Sequence, residues 1–154
     1  MKITDILPKD ALIADLKADS KQGVIEEMSE LMARCAGVST KDELARVLLE
    51  REALGSTGIG LSIAIPHAKV QELNGIVAAF GRSRQGVDFD SVDGKPVNLF
   101  FVLLSGLNSA GTHLKALARI SRLLRSEVTR DALISCESST ELYEIISRED
   151  SKFD

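Results

Sequence analysis

The string Val97-Asn98-Leu99-Phe100-Phe101-Val102-Leu103-Leu104 narrows the folds open to this chain more than any other segment. It is apolar at consecutive positions, so an extended conformation puts apolar side chains on both faces. Such a strand belongs in the middle of a sheet with a covering layer on each side. The run is far too short to cross a bilayer, which takes about 20 apolar residues in helical form.

The segments around it supply helices. Residues 20–35 carry Val24, Ile25, Met28, Leu31, Met32 and Cys35 at helical spacing, and Gly37 suits the C-terminal cap. Thr40 with Glu43 forms a capping box for a second helix. Its apolar face runs through Leu44, Val47 and Leu48 and ends on Arg51, near Gly55. Segments 63–65 and 76–80 read as strands, and Asp93-Gly94 marks a hairpin turn before 97–104. A third helix is expected with Thr112 as N-cap and Leu114, Leu117, Ala118, Ser121 and Leu124 along one face. Shorter helices are expected over 128–135 and 140–147. The pattern lacks regular alternation of strand and helix and predicts an α/β fold, with helices packed on a mixed β-sheet in a single domain, 1–154.

The chain has 154 residues, enough for a core without disulfide or metal staples. A net charge of −4 and an aromatic content of 4% argue against nucleic acid as a partner. Lys115, Arg119, Arg122 and Arg125 read as a solvated helix face. Cys35 and Cys136 lack metal-ligand spacing and are expected as buried thiols in a reducing compartment. The N-terminus has no signal-peptide layout, so the expected location is cytoplasmic, without membrane insertion.

The chemistry centres on two histidines, His67 and His113. His67 follows Pro66 at the end of the 63–65 strand, on a turn of restricted freedom. One ring nitrogen can face solvent while a carbonyl holds the other. Upstream, Gly55-Ser56-Thr57-Gly58-Ile59-Gly60 has the makings of an anion nest, with hydroxyls from Ser56 and Thr57 and amides from Gly58 and Gly60. His113, expected in the first helical position after Thr112, would be kept neutral there and donate a hydrogen bond. With Arg51 turned inward beside it, the glycine-rich loop becomes a candidate phosphate cradle. Glu52, next to it, and Asp88, Asp90 and Asp93 read as solvated. The chain has no Walker loop, nucleophile elbow or zinc spacing, so no metal and no cofactor is expected.

The string from Arg51 to Gly60, running on to Ile63-Ala64-Ile65-Pro66-His67, closely resembles the signature of phosphotransferase-system IIA components of the mannitol/fructose class. Asp90-Ser91-Val92-Asp93-Gly94-Lys95-Pro96-Val97, Thr112-His113-Leu114 and Glu141-Leu142-Tyr143 continue the resemblance over nearly the whole chain. It implies a mixed sheet with helices on both sides. It also implies phosphorylation on His67, with His113 and Arg51 as the other site residues. The implied donor is HPr or a nitrogen-branch relative, and the acceptor in sugar systems is a IIB domain. A lone IIA of this length resembles the nitrogen-regulatory branch, whose targets include transporters and kinases. A stand-alone IIA subunit of a fructose or mannitol permease is the alternative. Leu61, Val70 and the outer side of the third helix are the expected docking positions.

Overall fold

The computed structural model describes residues 1–153. After a single 3₁₀ turn at Ile3–Asp5, the elements are β1 (Leu12–Ile13), α1 (Lys21–Ala36), α2 (Lys41–Ala53), β2 (Gly58–Gly60), β3 (Ile63–Ala64), β4 (His67–Lys69), β5 (Ile76–Val87), β6 (Val97–Ser105), α3 (Ala110–Arg125), α4 (Glu127–Ser135) and α5 (Ser139–Ser151). The sheet runs β1-β5-β6-β3-β2, and β4 also pairs with β6. The central position expected for 97–104 is the one β6 occupies, and its Leu99, Phe100, Phe101, Leu103 and Leu104 are wholly buried.

β5 and β6 form an antiparallel hairpin in which Phe80 sits opposite Phe101. Their rings meet edge to face with centroids 5.0 Å apart, a favoured aromatic geometry. β5 extends well beyond the expected 76–80. Its continuation, Gly81-Arg82-Ser83-Arg84-Gln85, is too polar to read as a strand, yet Arg82 and Ser83 are fully buried. Arg82 Nε donates to Ala14 O at 2.9 Å, and Nη1 donates to Leu133 O at 3.1 Å and to Cys136 O.

Adjacent residues of β5 show how the two faces are covered. A β-carbon added to Gly81 would lie 2.7 Å from Met28 Sδ of α1, whereas Arg82 reaches the C-terminal carbonyls of α4. Helices α1 and α2 therefore cover one face, and α3, α4 and α5 pack together on the other. Gly81 leaves room for the Met28 and Leu16 side chains, and a larger residue there would force their ends to shift.

Helix ends follow the capping chemistry of the sequence. Ser20 Oγ accepts from Gly23 N–H at 3.1 Å and Thr40 Oγ1 from Glu43 N–H at 3.2 Å, while Gly37 closes α1 in the left-handed region at φ +64°. The third helix departs from expectation. It starts at Ala110 behind Ser109, so Thr112 is not its cap. Its core face is Ala116, Ile120, Leu123 and Leu124, whereas Leu114 and Ala118 are exposed. The helix carries two apolar stripes, and periodicity alone cannot say which one meets the sheet. The basic series on it is also not uniformly solvated. Arg119 Nε donates to the buried Asp150 at 2.6 Å, and Arg122 stacks on the Phe153 ring at 4.3 Å. The two C-terminal helices extend slightly beyond 128–135 and 140–147, behind the serine caps Ser126 and Ser138. Cys136 is buried, but Cys35 is half-exposed with its thiol on Asp10 O, against the expectation that both are interior.

β2 and β3 are joined by Leu61-Ser62, with φ +58° and +67°. Two left-handed residues in succession make a turn that usually takes Asn-Gly, and ordinary side chains there cost stability. Leu61 N–H is held by Asp93 Oδ2 at 3.3 Å. Ser62 O accepts from Asn98 N–H and Leu99 N–H at 2.9 and 3.0 Å. Among the described residues no helix is long and apolar enough to cross a membrane.

Candidate functional site

β3 and β4 lie end to end along one edge of β6. Ile63 and Ala64 pair with Leu99 and Phe100, and His67, Ala68 and Lys69 pair with Leu103, Leu104 and Ser105. Pro66 separates them because it has no N–H for the ladder. Its carbonyl still accepts from Leu103 N–H at 2.9 Å, so the register carries across the break. His67 therefore opens β4 in a position fixed by backbone pairing rather than by a free loop.

The His67 ring is set by one bond, from Nδ1 to Ile65 O at 2.7 Å. A carbonyl can only accept, so Nδ1 carries the proton and Nε2 keeps its lone pair. The His113 ring lies 5.2 Å away, inclined at 61°. Arg51, His67, His113, Val47, Leu54 and Lys69 are among the residues lining one open cleft of about 490 Å³. The structure thus gathers His67, His113 and Arg51 into one site. The Arg51 guanidinium is steered by Gly55 O, which accepts from Nη1 at 2.8 Å. It is half-exposed at the end of α2. Arg51→Ala is expected to slow phosphoryl acceptance by about 100-fold, the usual effect of losing one charge-stabilising donor. Thermal unfolding should move little, because the side chain is half-exposed and its hydrogen bond goes to the exposed Gly55. A large fall in melting temperature with an unchanged rate per folded molecule would make Arg51 structural.

His113 is the fourth residue of α3, not the first, and its N–H donates to Ser109 O at 2.8 Å. Its Nδ1 meets Ser105 Oγ at 3.0 Å. If the serine hydroxyl donates there, Nε2–H is left to point a donor into the cleft. Nothing in the sequence marked Ser105, which reads only as the end of an apolar strand. Burial lowers the His113 pKa, and the facing His67 and Lys69 lower it further. The unfolded chain then binds a proton that the folded one refuses, so stability falls as pH drops below the ordinary imidazole range near about 6.5. Melting temperature should be flat above about pH 7 and decline between about pH 6.5 and 5.5. His113→Asn should flatten that decline, and an unchanged slope in this variant would refute the assignment.

The glycine-rich segment is organised differently from an open nest. Ser56 and Thr57 share a second cleft of about 260 Å³ with Arg51, His67 and Ile65. The amides of Gly58 and Gly60, however, are engaged by Ser56 Oγ and Ser91 Oγ at 3.0 and 3.2 Å. Ser56 Oγ donates to Phe89 O at 2.6 Å, and Thr57 N–H is held by Glu52. The segment is consumed in building the site wall, and Gly58 and Gly60 do not join the lining of either cleft with His67. Glu52 is not solvated but buried, with Lys21 Nζ 3.0 Å from Oε1. Asp90 and Asp93 are also engaged: Asp90 lies 3.4 Å from Lys21 Nζ, and Asp93 binds the amides of Leu61 and Lys95. Val70, an expected docking residue, is buried, its N–H on Ser105 O at 2.8 Å. The exposed apolar residues lining the clefts are Leu54 and Ile59; Leu61 and Leu114 are exposed as well.

A mixed sheet with helices on both faces and a pair of imidazoles at the end of one strand ladder defines the class: a single-domain α/β protein with an open histidine cleft. The sequence model of the family described as "Phosphoenolpyruvate-dependent sugar phosphotransferase system, EIIA 2" matches residues 5–149, and the chain belongs to that family. It is 39% identical over 149 residues to a nitrogen regulatory protein of Bradyrhizobium diazoefficiens, covering 96% of this chain and 95% of that one. It is 38% identical over 150 residues to a PTS system fructose-specific EIIABC component of Bacillus subtilis, covering 97% of this chain but only 24% of that protein. Among solved structures, the nitrogen regulatory protein IIA-Ntr of Neisseria meningitidis superposes with a TM-score of 0.88 at 35% identity, covering 94% of this chain and 98% of that one.

Proposed function

We propose that the chain is a phosphohistidine carrier of the nitrogen-regulatory IIA type, accepting a phosphoryl group on His67 from an HPr-like protein. The observation that carries this reading is the Nδ1 bond to Ile65 O, which leaves Nε2 of His67 as the nucleophile beside Arg51 and His113. Nε2 attacks the phosphorus of the donor's phosphohistidine in line. The donor N–P bond breaks as the Nε2–P bond forms, and the electron pair of the broken bond returns to the donor imidazole. Charge on the equatorial oxygens is met by the Arg51 guanidinium and by a hydrogen bond from His113, and Ser56 and Thr57 wall the site. Ile65 O keeps its hydrogen bond to Nδ1–H and supports the positive charge that the ring acquires.

The full-length match to the Bradyrhizobium nitrogen regulatory protein supports the regulatory reading. In that role the phosphoryl group changes the charge of a surface read by a target such as a transporter or kinase. A second reading is favoured by a different relative. The PTS system fructose-specific EIIA component of Haloferax volcanii is 34% identical over 150 residues and spans 97% of its own length in the match, so a free-standing fructose IIA is also similar to this chain. In that reading His67 passes its phosphoryl group to a IIB domain.

The test is to incubate the protein with phosphorylated HPr-type carrier, map the label, and then add IIB domains. Label on His67 that no IIB domain removes supports the regulator, and rapid loss to a fructose-type IIB supports the permease subunit. Label on His113 or on a serine overturns the site assignment.

A further inference from the structure

Glu52 is only 6% exposed, and carboxylates are almost never so deeply placed unless paired. Its partners account for the burial. Both oxygens accept from Thr57 N–H, at 3.1 and 3.2 Å, and Oε2 also accepts from the Thr57 hydroxyl. Lys21 Nζ supplies the countercharge and lies over the Phe89 ring, 4.9 Å from its centroid.

Two chains of contact lead from this clamp to the reacting groups. Along the first, Thr57 O accepts from Ile65 N–H at 3.1 Å, and Ile65 O accepts from His67 Nδ1–H at 2.7 Å. The carbonyl that sets the His67 tautomer is thus anchored to the residue Glu52 holds. Along the second, Gly55 N–H donates to Glu52 O at 3.1 Å, and Gly55 O accepts from Arg51 Nη1 at 2.8 Å. Gly55 lies two residues before Thr57, so Glu52 holds the start of this short connection by its main-chain oxygen and the end by its carboxylate.

We infer that the Glu52 carboxylate is a positioning group that, through Thr57, fixes the tautomer of His67, while the Glu52 main-chain carbonyl, through Gly55, steers Arg51. The inference rests on the reading of His67 as phosphoryl acceptor. Glu52 touches neither ring, and its effect passes through backbone carbonyls. Misplacement of a reacting group by about 1 Å is enough to cost about 100-fold in rate, which makes a buried clamp two hydrogen bonds away consequential. Carrier docking should be untouched, because Glu52 presents almost no surface.

The experiment compares Glu52→Gln, Thr57→Val and Thr57→Ser. Two readouts are taken: the ring nitrogen shifts of His67 by NMR in the free protein, and the labelling rate as a function of carrier concentration. Glu52→Gln and Thr57→Val should lower the saturating rate by about tenfold or more and leave the half-saturating carrier concentration within about twofold. In the free protein they should shift His67 from a single Nδ1–H form to a mixture. Thr57→Ser, which keeps the hydroxyl, should restore both. If Glu52→Gln fails to fold, the Thr57 pair decides alone. A wild-type saturating rate and an undisturbed Nδ1–H tautomer in Thr57→Val would overturn the inference. Label that maps away from His67 in the unmodified protein would instead defeat the functional reading, and the ring shifts would still report whether the clamp acts on His67.

Discussion

His67→Ala is expected to abolish phosphoryl acceptance from the carrier and to leave the fold intact. The loss should be complete, because among the described residues no second nucleophile is equivalently presented. His113 Nδ1 is engaged with Ser105, and the Ser56 and Thr57 hydroxyls donate to Phe89 O and Glu52. The fold should survive because β4 is held by its backbone pairing to β6 rather than by the imidazole. The ring contributes one hydrogen bond to a carbonyl, worth about 1 kcal/mol net. The check is autoradiography of acid-labile label alongside a thermal melt. Residual label at the wild-type level in a folded His67→Ala protein would exclude His67 as acceptor.

Arg82→Leu should be the most destabilising of the single changes considered. The guanidinium is wholly buried, bonds Ala14, Leu133 and Cys136 carbonyls, and stands 3.7 Å from Asp15. Two effects oppose each other on removal. Relief of a buried charge favours the variant. Orphaning acceptors costs about 1–3 kcal/mol for each buried group left without a donor. Cys136 O keeps Arg84 Nη2 at 3.3 Å, but the Ala14, Leu133 and Ile134 carbonyls lose the guanidinium and leucine offers no donor, so the second effect wins by about 3 kcal/mol or more. For a domain of this size that lowers the melting temperature by about 6–12 °C. Arg82→Lys should recover only part, since an ammonium cannot span the β1 and α4 carbonyls together. A melting temperature for Arg82→Leu within about 2 °C of the wild type would show that these bonds contribute little.

The features legible in the sequence were those whose physics is local. The Thr40 and Gly37 caps, the central β6 and the stiff Pro66-His67 presentation all follow from residue type and spacing. The gathering of His67, His113 and Arg51 about one cleft accords with the long motif and its resemblance. Two of the misreadings, Glu52 and the second half of β5, share one cause, which is burial of polar groups by partners that only the fold brings to them. Glu52 read as solvated because Thr57 and Lys21 are invisible as its partners until the chain folds. The second half of β5 read as non-strand because nothing local reveals that α4 carbonyls await Arg82. The helix face of α3 was misassigned because Leu114 and Leu117 make as good a stripe as Ala116 and Ile120, and only tertiary packing chooses between them. Ser105 was missed because its value lies in where His113 comes to rest.

The β4–β6 ladder leaves little room for a shape-based signal. His67 and Ser105, which holds His113, hang from two strands locked in one alignment, and such an alignment can change only by a whole residue, which would turn every side chain over. Loading the carrier therefore redecorates a stiff surface instead of remoulding it. A target that distinguishes the loaded form from the empty one must sense added negative charge beside Arg51, and that discrimination should fade as salt concentration rises.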